Sequence, residues 1–360
     1  MNSGCGQTCK KALTNAIQFG NLEGVKRLTN GLVDINPVVD NKNWTVLHHA
    51  VYFGKLNIVE YYTSKLENVN PGLQSDGTRK GQTPLHFAAE KGNLDIVEHF
   101  TEILDDKNPS DDQGITPLHL AAEYGHLDIV KLLIPFLEDK NPKAGANWFQ
   151  RTPLHSAVFQ GHLNIIKFLL NFVQDPNPAF SNGKTVLDLA AENGHLNIIK
   201  YYNDELLVDN INPGRLSNDN FSGRTPMHNA AQEGYAEIVK YYTDILEDKN
   251  PGDDAGITPL HLAAVGGHLD IVQHLTSLLE VKNPKSATDL TPLDFSAVSG
   301  HLEVVKFIAQ YVTDQEEIQT ALDYARSKGH TDVMVFLEIT KKSLPREKDT
   351  ETTETTTETI

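Results

Sequence analysis

Cysteine is nearly absent from this chain of 360 residues: Cys5 and Cys9 are the only two, both in a polar N-terminal stretch. A disulfide framework therefore cannot hold the body of the fold together, and a reducing, cytoplasmic setting is expected, with the nucleus left open. The two cysteines have no second ligand pair near them in sequence and are read as ordinary tail chemistry. Long apolar runs are missing too. None approaches the roughly 20 residues that cross a bilayer, and Met1 to Gly6 has neither a basic nor an apolar leader-like segment, so neither membrane insertion nor secretion is expected. Basic charge is in deficit, with 31 Lys and Arg against 48 Asp and Glu, for a formal net charge of −17. A surface of that sign repels phosphate backbones, which argues against nucleic acid as a partner. The sequence also contains no G-x-S-x-G, P-loop or Gly-rich dinucleotide signature, so no catalytic residue, metal or cofactor is assigned.

What the chain has is self-similarity. Thr-Pro-Leu-His recurs at Thr83, Thr116, Thr152 and Thr258, and variants open at Thr45, Thr185, Thr225 and Thr291. Degenerate ends sit at Lys11 and Thr320, so units start near residues 11, 45, 83, 116, 152, 185, 225, 258, 291 and 320. The base spacing is 33, as from Thr83 to Thr116, and longer gaps are insertions. Each unit reads as a helix pair. In the one from Thr116, the threonine suits an N-cap, Pro117 the first helical position, and Ala121 and Ala122 allow close packing. Gly125 then stops the helix by supplying a left-handed residue. A second helix follows, with Ile129, Val130 and Leu133 on its apolar stripe. Neither helix can bury its stripe alone, so stacked neighbours must supply the missing surface.

The pattern T-P-L-H-x-A-A followed by G-H-L-x-I-V resembles the ankyrin-repeat family, and the resemblance covers about Lys11 to Leu337. It implies an all-α solenoid of about ten helix-turn-helix units with projecting β-hairpin fingers, the fingers and inner helices lining a concave groove. Residues 1–10 are expected to be an N-terminal tail, 11–338 the repeat domain, and 339–360 a disordered Thr/Glu-rich tail too poor in apolar residues to order itself. A longer period is superimposed. Phe100 to Val130 matches Tyr242 to Val272 over an offset of 142, as though a four-unit block had been duplicated, which raises the reading of two equivalent binding segments.

Fifteen histidines invite a metal or general-base reading, but their positions answer it. Six close the Thr-Pro-Leu-His element (His48, His86, His119, His155, His228, His261), and six follow the helix-ending glycine (His126, His162, His195, His268, His301, His330). Both are recurrent positions, where imidazole is expected to bridge loop backbone groups. His49, His99 and His274 remain, without zinc-like spacing. Asp111-Asp112 and Asp253-Asp254 lack the alternating oxygen ligands of a calcium loop and are read as turn formers.

Departures from the base period fall in the fingers. These insertions carry Arg79 and Lys80, then Trp148, Phe149 and Arg151, then Arg215, Phe221 and Arg224. Trp and Arg are enriched at binding hot spots. The family geometry further implies that the residues one and two positions before the glycine face the groove, which singles out Tyr52, Phe53, Tyr124 and Phe159. The expected function is a monomeric, non-catalytic interaction scaffold that binds one or more proteins. The alternative is a regulated substrate or inhibitor of a modifying enzyme. Its candidate site is Asn36, in a stretch that resembles the hairpin sequence taken by an asparaginyl hydroxylase.

Overall fold

A threonine N-cap in a capping box with the third helical residue starts eight of the described helices, at Thr45, Thr83, Thr116, Thr152, Thr185, Thr225, Thr258 and Thr291. In six of them a proline follows where no donor is needed. The computed structural model describes residues 7–74, 79–146, 149–206, 211–214 and 222–345. It divides into two compact bodies, Met1–Asn182 and Gly183–Ile360. In the N-terminal body the helices are α1 (Gln7–Gln18), α2 (Leu22–Thr29), α3 (Val46–Tyr52), α4 (Leu56–Thr63), α5 (Pro84–Lys91), α6 (Leu94–Ile103), α7 (Pro117–Glu123), α8 (Leu127–Leu133), α9 (Pro153–Phe159) and α10 (Leu163–Leu169). The C-terminal body holds α11 (Val186–Glu192), α12 (Leu196–Asp204), α13 (Pro226–Glu233), α14 (Ala236–Ile245), α15 (Pro259–Gly266), α16 (Leu269–Leu278), α17 (Pro292–Ser299), α18 (Leu302–Ala309), α19 (Gln315–Lys328) and α20 (Thr331–Ser343). Each body is an all-α repeat solenoid. Odd-numbered inner helices pack on one another in succession, each also against the even-numbered outer helix that follows it.

Burial follows the stripes. Ala88 and Ala89 of α5 are fully buried between neighbouring inner helices, and so are Ile96, Val97 and Phe100 of α6. In α4, α12 and α14 the place of Phe100 is taken by Tyr62, Tyr202 and Tyr242, each fully buried. Tyr62 donates to Thr29 Oγ1 at 3.4 Å and Tyr242 to the Ile211 carbonyl at 3.2 Å, so neither buried hydroxyl lacks a partner.

Both histidine classes tie one repeat to the next. His119 Nδ1 accepts from the Thr116 N–H, and its Nε2 donates to the Arg151 carbonyl at 3.1 Å. His126 reaches the other way, donating from Nε2 to the Glu90 carbonyl at 3.0 Å. The glycine is required there twice over. Gly92 ends α5 with φ 73°, and a Cβ at that point would lie 2.5 Å from the His126 ring. Asn-Pro is a third device: Asn108 Oδ1 accepts from the Leu118 N–H at 2.9 Å, and Asn70, Asn141, Asn212, Asn250 and Asn283 do the same for their following helices.

The connections are turns. Among the described residues there is no β-strand, only isolated bridge residues, at Val38, which pairs antiparallel with Thr45, and at Ala179 and Thr185. Adjacent loops are stitched by single backbone bonds, such as Asp112 N–H to the Lys80 carbonyl at 3.2 Å and Gly145 N–H to the Gln113 carbonyl at 2.7 Å. At the termini, α1 begins at Gln7, inside the stretch expected to be tail, and α20 continues past 338 to Ser343. Cys9, on α1, is disulfide-bonded, unlike the plain tail thiol expected, and Cys5 lies outside the described residues.

Candidate functional site

The inner helices of the N-terminal body end in a run of aromatic and charged residues rather than in small polar ones. Tyr52 closes α3 and Phe53 follows it, Glu90 and Lys91 close α5, Glu123 and Tyr124 end α7, and Phe159 ends α9. Each lies just before a left-handed glycine (Gly54, Gly92, Gly125, Gly161), which turns the chain away and leaves these side chains at the helix rim.

Contacts link them across the repeats. Trp44, which precedes its N-cap, packs at 5.1 Å from the Tyr52 ring and 4.6 Å from Phe87. Lys91 Nζ sits 4.5 Å over Tyr52 and 3.0 Å from Glu90. Arg79 clamps the same Glu90 with two hydrogen bonds, at 2.7 and 3.3 Å, while its guanidinium lies over Phe87. Burial pushes the Glu90 carboxyl up, but the hydrogen bonds and charge of Arg79 and Lys91 outweigh burial and hold it below the ordinary range. Tyr124 is exposed, and its hydroxyl is held protonated to higher pH than usual, first by desolvation and then by Glu90 and Glu123. Arg151 lies 4.9 Å over the exposed Phe159 ring and 3.7 Å from Glu123.

Of the expected site residues, the structure thus brings together Tyr52, Phe53, Arg79, Tyr124, Arg151 and Phe159. Lys80 pairs with Asp112 at 3.0 Å on the loop surface, and Phe149 is exposed with φ 52°. Trp148, Arg215 and Phe221 lie outside the described residues. Two arginines are not the finger-tip cations that the sequence suggests. Arg151 is only 8% exposed, and Arg224 is engaged by the buried Asp253 at 3.4 Å and by Gln232 at 3.0 Å. The reason is positional: they immediately precede the N-cap threonine, where Ile115, Ile257 and Leu290 stand in other repeats. Burial lowers the Arg151 guanidinium below its ordinary value, with Glu123 opposing that shift.

Sequence reasoning passed over Glu90 and Lys91 as background polar residues. Their position, two and one before Gly92, was the signal. Asn36 is 8% exposed, and its Oδ1 accepts from the Leu47 N–H at 2.9 Å, so the modification candidate is one more helix-capping Asn-Pro. Asp111 and Asp253 are buried turn organisers. Asp111 Oδ1 accepts from the N–H groups of Gln113 and Ile115 at 2.8 and 2.9 Å. Among the described residues no group of three or more His, Cys, Asp or Glu is placed to hold a metal ion, and no helix is long and apolar enough to cross a membrane.

The C-terminal body presents different groups at the equivalent rim. Glu192 and Asn193, Gln232 and Glu233, Val265 and Gly266, and Val298 and Ser299 precede its glycines. The aromatic strip is therefore confined to the N-terminal body, and on this face the two copies of the duplicated block are not equivalent. Comparison with curated proteins finds no match. A family model for ankyrin repeats in many copies matches residues 3–61, and one for ankyrin repeats in three copies matches 62–144, 135–203 and 203–283. The repeats, their helix pairs and these matches make the chain a member of the ankyrin-repeat family, whose repeats generally mediate protein–protein interaction.

Proposed function

We propose that the chain is a non-catalytic, monomeric interaction scaffold. It comprises about ten ankyrin repeats, their helices running from Gln7 to Ser343 in place of the 11–338 expected, and it binds a protein partner across the inner rim of its N-terminal body. The observation that supports this reading most directly is the continuous strip Tyr52–Lys91–Glu90–Tyr124–Arg151–Phe159. The half-buried Tyr52 ring and the exposed Tyr124 and Phe159 rings are interspersed there with charged side chains held by ion pairs and ring contacts. Rigid rings lose little side-chain entropy on binding, and pre-positioned charges select the partner's register. Lys80 and Phe149, on the neighbouring loops, are added to this surface.

The test is affinity purification with the intact chain, followed by affinity measurement on whatever protein it captures. Tyr124→Ala and Phe159→Ala, with Trp148→Ala and Phe149→Ala beside them, should each weaken binding by about 1 to 4 kcal/mol, the range of buried aromatic anchors. Lys131→Ala and Lys167→Ala on the outer helices should leave it unchanged. Loss of binding on the outer-helix changes alone would move the site to the opposite face.

A further inference from the structure

A second surface recurs where the outer helices end. Nine residues after the start of α6, α8, α10, α14, α16 and α18 stand Ile103, Phe136, Phe172, Ile245, Leu278 and Tyr311. All six are 42–51% exposed. A lone exposed apolar side chain needs no explanation, but the same register position filled six times does. The residues form one triad per body: Lys65 of the α4 repeat and Glu205 of the α12 repeat hold that position just before each triad begins. Ile103 and Phe136 recur as Ile245 and Leu278 at the duplication offset. Both copies thus keep apolar knobs here, although they differ at the inner rim.

The exposed charge beside the knobs is mainly acidic, with Lys107 Nζ 5.9 Å over the Phe136 ring as a cationic exception. Asp244 and Glu247 flank Ile245, Glu280 follows Leu278, and Asp314 follows Tyr311, all exposed. The lysines of the same segments turn inward: Lys249 Nζ donates to the Thr243 carbonyl at 2.6 Å and Lys282 Nζ to the Thr276 carbonyl at 2.5 Å. These cations satisfy the free carbonyls at the helix end and leave the carboxylates uncovered. In the C-terminal body a surface cavity of about 340 Å³ opens beside Tyr311, lined by Val281 and Val312 with Glu280, Asp314, Glu317 and a single cation, Lys282.

We propose that these triads are docking ridges for a cationic amphipathic helix of a partner protein. Packed outer helices lie about 8 to 10 Å apart, and side chains seven residues apart on a helix are separated by about 10 Å, so one apolar stripe can meet three successive knobs. Lysine or arginine beside that stripe would face the carboxylates. A second copy of this chain, at net charge −17, or an anionic membrane would be repelled by the same groups.

The test uses the full chain and a synthetic 21-residue helical peptide with leucine at every seventh position and lysine or arginine beside it, read by fluorescence anisotropy at about 0.15 M salt. Phe136→Asp/Leu278→Asp, the middle knob of each triad, should weaken binding at least tenfold with an unchanged circular dichroism spectrum. Glu247→Lys/Glu280→Lys, which leaves the knobs intact, should also weaken it. A control peptide with glutamine in place of leucine should bind at least tenfold more weakly, and Tyr124→Ser/Phe159→Ser at the inner rim should have no effect. Equal binding of the glutamine peptide, or of the Phe136→Asp/Leu278→Asp chain, overturns the proposal as mere charge attraction. Loss of binding on the inner-rim changes assigns the peptide to the other face and overturns it equally.

Discussion

Each Thr-Pro-Leu-His imidazole makes two hydrogen bonds that demand opposite roles of its nitrogens. Nδ1 accepts from a backbone N–H and Nε2 donates to a carbonyl, which together define one neutral tautomer. Protonation would put a donor against the Thr N–H and a charge in a buried site. Desolvation accordingly lowers His48, His119, His155, His228 and His261 to about 4, partly opposed by the backbone carbonyls that their Nε2 atoms face. The unfolded chain, near 6.5, then binds more protons than the folded one between about pH 6.5 and 4, so stability is intact above 6.5 and falls as pH drops through that window. Each such histidine should remove on the order of 2 kcal/mol between pH 7 and pH 5. Urea unfolding of the wild type and of His119→Gln at both pH values measures it. The variant should be less stable at pH 7 and lose less on acidification, and parallel pH profiles would show that His119 does not carry the effect.

Helix ends are where the sequence was both most and least legible. The Thr-Pro starts and left-handed glycine stops are visible because each depends on one residue type with one backbone consequence. Less visible is the inward turn of Lys107, Lys140, Lys249 and Lys282 onto the carbonyls that end the outer helices, because a surface lysine and a capping lysine look alike in sequence. Arg151 misled for a related reason: its type suggests a surface contact, whereas its slot is the one Ile115 fills. Its Nε and Nη2 make no hydrogen bond, and Glu123 is too distant at 3.7 Å to give one. A buried, poorly satisfied ion pair contributes little to stability, and replacing it with a shape-matched apolar residue is often neutral or stabilising by about 1 to 4 kcal/mol. Arg151→Leu should therefore unfold at the same or higher urea concentration than the wild type. It should also weaken the partner that the inner rim captures. A destabilised Arg151→Leu chain would mean that the guanidinium is held by more than Glu123.

At the scale of the molecule, the order of helix pairs could be read from the sequence because the period repeats so often, and the duplicated block kept its buried stripe while its inner rim changed. Phe100 and Tyr242 fill the same buried slot, whereas Tyr52 and Tyr124 correspond to Glu192 and Gly266. What the sequence did not disclose is the division into two bodies at Asn182, since the repeat pattern runs through it without a break. Within a body, every inner helix leans on the next, and the histidine and Asn-Pro bonds mostly join elements of adjacent repeats or one repeat's loop to its helix. Stability is then approximately a sum over repeats and their interfaces. A single pair has an interface missing on each side and is below the roughly 40 residues at which chains fold unaided. We expect the fragment 7–182 to be helical and to unfold cooperatively, and the excised pair 116–151 to be largely unfolded, both measured by circular dichroism at 222 nm against urea. A stably helical single pair would mean that the caps and local packing suffice without neighbours. An unfolded 7–182 fragment would mean that the N-terminal body depends on its C-terminal partner, and the nearest-neighbour account of this array would then fail.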